Sequence, residues 1–150
     1  TRRIIRALEV VEITGRPFSA TAPTKRYRRP SLVIGLRDDW DALTDRIERR
    51  ARTMWEAGLL DEVTRLDAAG LRRGRTASRA IGYAQALGEL DGRWGREEAI
   101  ADTARATRRY ARRQESWWRP DPRVEWLDAA DPALPEAASR LARRPTQWTP

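Results

Sequence analysis

The chain has 150 residues, and 30 Lys+Arg against 22 Asp+Glu leave a formal charge of +8, carried almost wholly by arginine because Lys25 is the only lysine. An apolar content of 40% is too high for a disordered chain. With no Cys and no His, there can be no thiol nucleophile, disulfide framework, Cys/His metal site or imidazole base.

Thr1-Arg2-Arg3-Ile4-Ile5-Arg6 has neither an initiator Met nor a signal-peptide pattern. No apolar run approaches the roughly 20 residues that span a bilayer. The expectation is an internal or C-terminal segment of a soluble, cytoplasmic protein. Residues 2–13 read as a helix stopped by Gly15 and Pro17. Its apolar residues lie on nearly all sides, so it wants burial. Residues 16–30 read as a Pro-rich linker containing the basic run Lys25-Arg26-Tyr27-Arg28-Arg29. Ser31 to Leu36 is a short continuous apolar run, the signature of a buried parallel strand.

Helices are predicted over 38–57, with Asp38, Asp39 and Asp41 at the positive end, and over 59–69 before Gly70. A basic loop, Arg72-Arg73-Gly74-Arg75, precedes a helix from a Ser78 cap to Leu90, interrupted by Gly82 and Gly88. The longest helical pattern runs from Glu97 to Trp118. A short strand follows at 124–127, then a helix over 131–144 and a tail over 145–150. The architecture expected is mainly α with two short strands.

Three arginine constellations carry the chemistry. On a wheel of the long helix, Ala104, Thr107, Ala111 and Trp118 fall within about 40° of Ile100, while Arg105, Arg108, Arg109, Arg112, Arg113 and Arg119 fill an arc of about 140° on the other side. Six guanidiniums with no carboxylate among them repel unless an anion is present. A nucleic-acid backbone fits, since the planar fork binds phosphate bidentately. The alternative is a solvated face in an Arg-rich chain. Gln114 interrupts the apolar side between Tyr110 and Trp118. It is either a core amide bonded to backbone or a reader of a base edge, with Trp117 or Trp118 as stacking platform.

In the second constellation, residues 46–52, the core stripe is Trp40, Leu43, Ile47, Ala51 and Met54. Arg49 and Arg52 point away from it, and Arg50 lies about 70° from its centre. Arg50 is either a snorkelling structural residue or an anion ligand facing a cleft. The third is Arg79-Ala80-Ile81-Gly82-Tyr83, where Gly82 permits close backbone approach.

Read in order, these segments resemble the tRNA dimethylallyltransferase family, also called isopentenyl-tRNA transferases. The matching stretches are Arg6-Ala7-Leu8-Glu9-Val10 with Thr14-Gly15, Arg46-Ile47-Glu48-x-Arg50, Gly58-Leu59-Leu60-Asp61-Glu62-Val63, Ala80-Ile81-Gly82-Tyr83, Ala106 to Gln114 with Trp117-x-Arg119, and Trp126-Leu127-Asp128. The resemblance implies transfer of a dimethylallyl group from dimethylallyl diphosphate to N6 of the adenine 3′ of the tRNA anticodon. It implies the C-terminal part of a P-loop NTPase-like α/β fold with a helical insertion. Residues 1–30 would then be the end of that insertion and a linker, 31–144 the C-terminal helical part of the transferase core, and 145–150 a tail.

The resemblance further implies that Arg50 is catalytic, acting on the diphosphate. By the same resemblance Arg2, Arg3, Arg6, Arg79, Gly82, Tyr83, Arg112, Arg113, Gln114, Trp117 and Arg119 contact the anticodon stem-loop of tRNA. It implies a nucleotide-binding, ATP-binding type of P-loop and Mg2+ whose ligands lie outside these residues, and a monomer at full length. The chain departs from the family in lacking G-x-x-x-x-G-K-[ST]. Ala84 also stands where a basic residue is usual, and Trp118 where a smaller apolar or aromatic residue is common. The other reading is a non-catalytic Arg-rich helical RNA-binding module.

Overall fold

The computed structural model describes residues 2–21 and 29–144. Most of the basic run at 25–29 and the tail at 145–150 lie outside the described residues. The chain divides into two compact units, one holding the described residues up to Ser31 and the other running from Leu32 to Arg144.

In the first unit, α1 (Arg2–Thr14) is followed by a single 3-10 turn at Phe18–Thr21. The helix closes with Thr14 Oγ1 donating to the Val10 carbonyl at 2.6 Å, and Gly15 N–H donating to Val11. Its Ile4, Ile5, Leu8 and Val11 are all exposed. The burial that its apolar sides call for is therefore not met within the described residues.

The second unit is built on helix packing. Asp39 starts α2 (Trp40–Glu56) by taking extended backbone angles and accepting from the amides of Asp41 and Ala42. These are two of the donors that a helix start leaves without partners. The helix turns at Gly58 into α3 (Leu59–Ala68). Then come α4 (Tyr83–Leu90), α5 (Arg96–Trp118) and, after β2, α6 (Leu134–Ala142). The core joins Ile47, Ala51 and Trp55 of α2 to Leu59 and Val63 of α3, Ala86 and Leu87 of α4, and Ala99, Ile100 and Ala104 of α5. Trp55 joins the stripe read from the sequence, with Met54 partly buried against the same core. Its indole N–H donates to Glu89 at 2.6 Å, so the polar edge of the ring is satisfied.

The helix expected from Ser78 is shorter. Ser78 sits in a 3-10 turn and donates to the Gly74 carbonyl at 2.6 Å. Gly82, at φ 96° and ψ −57°, lies outside the helical region, so α4 begins only at Tyr83. Between α3 and α4, Arg72 reaches both Asp67 (2.9 Å) and Asp91 (2.6 Å). Its hydrogen bond holds the Asp91 carboxyl below the usual range.

The two strands, β1 (Val33–Arg37) and β2 (Val124–Asp128), pair in parallel with Gly35 opposite Trp126. Gly35 is there for space. A Cβ on it would stand 2.6 Å from Trp126 Cε3 and 2.8 Å from Val124 Cγ1. The Arg37 guanidinium lies over the same indole at 5.1 Å. Gly35→Ala should therefore displace Trp126 and lower stability by about 1–3 kcal/mol, the ordinary cost of overpacking. Urea unfolding followed by Trp fluorescence measures this.

Candidate functional site

The 23-residue α5 is about 35 Å long, and its two halves differ. Ala99, Ile100, Thr103 and Ala104 of the first half are buried, whereas every residue from Arg112 to Trp118 is exposed. The packed half supplies carboxylate partners for its arginines. Arg105 pairs with Asp102 (3.1 Å) and Arg108 with Glu48 of α2 (2.5 Å). The mutual repulsion expected on the arc is thus relieved at two of its six positions, by Glu48 of a neighbouring helix and by Asp102, which falls about 200° from Ile100 and so within the arc that was expected to hold no carboxylate.

Arg109, Arg112, Arg113 and Arg119 have no ion pair among the described residues. Arg112 lies 4.8 Å from the Trp40 ring centroid and Arg113 lies 5.9 Å from that of Tyr110. A guanidinium stacked on a ring keeps its N–H edge free for an anion.

Gln114 is exposed and makes no hydrogen bond among the described residues, so it is not a core amide. It faces a cleft of about 560 Å³ between the strand pair, the start of α2 and the end of α5. Trp40, Trp118, Trp126, Asp38 and Glu115 share that cleft. Trp117 is not among its lining residues and is 73% exposed. A large apolar ring left so open is available for stacking.

Arg50 stands elsewhere on α2. It lies about 160° round the helix from Glu48, which faces α5. It is one turn before Met54, the side chain that abuts Gly82, where a Cβ would come within 3.1 Å of Met54 Cε. Arg49 and Arg50 are both exposed and without an ion pair among the described residues. Arg52 faces α5 and makes two bonds to Glu97, at 3.0 and 2.8 Å.

The Gly82 turn is held from both sides. The Tyr83 hydroxyl donates to Glu62, which pushes the phenol's pKa up and keeps it protonated. Gly82 N–H donates to Gln85 Oε1, and Gln85 Nε2 donates to Asp102, both at 2.9 Å. Arg79, just before the turn, is exposed and unpaired among the described residues. Arg2, Arg3 and Arg6 belong to the other unit, where Arg6 pairs with Glu9 at 3.3 Å.

The predicted residues therefore fall into groups. Arg112, Arg113, Gln114, Trp117 and Arg119 share the exposed end of α5. Gly82 and Tyr83 form the buried-backbone turn, with Arg79 exposed just before it and Arg50 one helical turn from its Met54 neighbour. Sequence reasoning passed over Gln85, Asp102 and Glu48, and it read Trp40 only as core. The signal for Gln85 is its place three residues after the residue that caps a helix start, where a Gln side chain reaches back to the cap amide. Among the described residues no three acidic side chains converge.

Residues 1–121 match the family model described as IPP transferase. The chain belongs to the IPP transferase family. It is similar to a tRNA dimethylallyltransferase of Kineococcus radiotolerans, 54% identical over 99% of this chain and 46% of that protein. One of Thermobifida fusca is 57% identical over 93% of this chain and 44% of that protein. The chain thus spans about half the length of the curated relatives it matches. The crystal structure of a tRNA isopentenylpyrophosphate transferase from Bacillus halodurans matches with a TM-score of 0.70 and 36% identity, over 94% of this chain and 45% of that one. A second, from Staphylococcus epidermidis, matches with a TM-score of 0.68 and 25% identity, over 95% and 49%. The mainly α architecture with its parallel strand pair accordingly goes with the P-loop NTPase-like fold of these transferases.

The Asp102 carboxyl is held below the usual Asp range, first by the Gln85 hydrogen bond and then by Arg105, against the opposing effect of burial. The unfolded chain therefore binds the proton more readily, and the stability contributed by Asp102 is present above its unfolded pKa of about 3.9. It drains as the pH falls through the lower folded value. Asp102→Asn should flatten the acid limb of a stability-versus-pH curve below about pH 4, read by urea unfolding at stepped pH.

Proposed function

We propose that the protein carrying this chain transfers a dimethylallyl group from dimethylallyl diphosphate to N6 of the adenine 3′ of the tRNA anticodon. In this reading residues 1–150 supply the RNA grip and one diphosphate contact. Family membership supports the reaction. The observation that carries the local assignment is the exposed end of α5, where Arg112, Arg113 and Arg119 lack carboxylate partners among the described residues beside an open Trp117. Residues 1–30 would close a helical insertion, and 31–144 the core.

In the reaction the amine nitrogen bonds to the allylic carbon as the carbon–oxygen bond to diphosphate breaks, and the amine loses a proton. The leaving diphosphate gains negative charge, which a guanidinium stabilises bidentately. Arg50 is suited to this by its free fork on the flank of α2 away from the Glu48–Arg108 pair. The carboxylate that takes the proton, the phosphate-cradling P-loop and the Mg2+ are assigned to chain outside these residues. Residues 1–150 alone should then bind RNA without turning it over.

Among the described residues no helix is long and apolar enough to cross a membrane, in keeping with a partner that is tRNA. A stacking role for Trp117 and a base-edge role for Gln114 follow from their exposure at the end of the arginine arc.

Three measurements test the proposal. In the full-length protein, Arg50→Ala should lower the rate of prenyl transfer from labelled dimethylallyl diphosphate at least tenfold, about 1.4 kcal/mol of transition-state stabilisation, while Arg49→Ala changes it little. Equal effects from both would remove the Arg50 assignment. Arg112→Ala and Arg113→Ala should each weaken tRNA binding for every sequence and shallow the salt slope by about one unit. Trp117→Ala should cost about 1–3 kcal/mol of tRNA affinity at unchanged melting temperature. A melting loss with intact affinity would assign it to packing instead.

A further inference from the structure

Gln85 is 7% exposed, yet its side chain is fully engaged between two elements. Its amide orientation is dictated by its partners. Gly82 N–H can only donate, so the oxygen faces the turn, and the Asp102 carboxylate can only accept, so the nitrogen faces α5. At φ 96° the Gly82 backbone is outside the helix, so its buried N–H has no helical acceptor and depends on this side chain. The second Asp102 oxygen accepts from Arg105, the first guanidinium of the basic arc, at 3.1 Å. A continuous line of hydrogen bonds thus runs from the Gly82 turn through Gln85 and Asp102 to α5.

We infer that Gln85 and Asp102 are positioning residues that hold the Gly82–Tyr83 turn in register with the basic face of α5, so that one RNA loop meets both. The inference rests on the tRNA reading given above. Neither side chain needs to touch RNA. The pair acts by fixing the turn, whose opposite side is pinned by Tyr83 to Glu62 and by Met54 beneath Gly82. Packing alone would not fix the rotation of the turn, because Gly82 carries no side chain to key it.

A charge-swap experiment in the full-length protein tests this. Affinity for a tRNA anticodon stem-loop and thermal unfolding are measured on the same samples. Gln85→Glu keeps the bond to Gly82 but sets a carboxylate against Asp102, and should weaken RNA binding by about tenfold. Asp102→Ala releases one end of the amide and should weaken it by about threefold to tenfold. The double variant Q85E/D102N reverses donor and acceptor across the contact, since the amide introduced on α5 donates to the carboxylate introduced on α4. It should return affinity to within about twofold of the unaltered protein.

If Q85E does not fold, D102A and the double variant decide. Melting temperatures that fall while the folded fraction of Q85E or D102A binds RNA like the unaltered protein would overturn the inference and leave the tRNA reading intact. So would a folded double variant that stays as weak as Q85E. An unaltered protein that fails to bind the stem-loop would overturn both.

Discussion

The packing of α2 against α5 is the constraint on which the rest depends. Where α5 enters the core it presents Ala99 and Ala104, and α2 presents Ala51, all less than 5% exposed. Small side chains let two helices approach closely, and the approach distance follows the residues at the contact. Two ion pairs, Arg108 to Glu48 and Arg52 to Glu97, flank this seam from opposite helices. Exposed pairs of this kind contribute about 0–1 kcal/mol each. The buried face of Ala99, Ile100 and Ala104 sets which residues of α5 face the core and therefore which arginines remain outside, and the ion pairs agree with that rotation.

In the proposed reading, that selection gives the positive charge of the chain its use. A net charge of +8 spread evenly would attract any polyanion weakly. Here the arginines of the packed half of α5 are matched to carboxylates, while those of the exposed half rest on aromatic rings or stand open. On that reading a phosphate backbone would meet guanidiniums that have no ion pair among the described residues at that end and beside the Gly82 turn. Arg50 belongs to the second region, one turn from the methionine that supports Gly82. The proposed RNA grip lies on the exposed end of α5, and the proposed diphosphate contact lies on the flank of α2 away from the Glu48–Arg108 pair.

The long helix, the two short strands and the arginine arc were legible because each depends on residues close in sequence or on a run whose character is unambiguous, whereas the pairing of the strands is a contact between distant parts of the chain. The acidic start of α2, read from Asp38, Asp39 and Asp41, follows from local backbone chemistry in the same way. What was not legible depends on partners far along the chain. Glu48 lies 60 positions from Arg108, and no helical wheel connects them. Gln114 sits on the apolar side of its own helix, so only the end of the packed region, reached before residue 112, shows that this side faces a cleft. Gly82 was visible as an interruption of a helix. Its positive φ, which moves the helix start to Tyr83 and makes Gln85 necessary, is a property of the tertiary turn. The exposure of α1 likewise concerns groups that the described residues do not supply.

The central claim is that the exposed end of α5 and the Gly82 turn meet RNA together. Ultraviolet cross-linking of the full-length protein to a tRNA anticodon stem-loop, followed by peptide mass spectrometry, tests it most directly, since Tyr83 and Trp117 are aromatic groups placed at the two contacts. The account predicts nucleotide adducts on peptides from both regions, 79–83 and 109–119, lost together at high salt. Adducts confined to α3 or α6, or found at only one of the two regions, would contradict it.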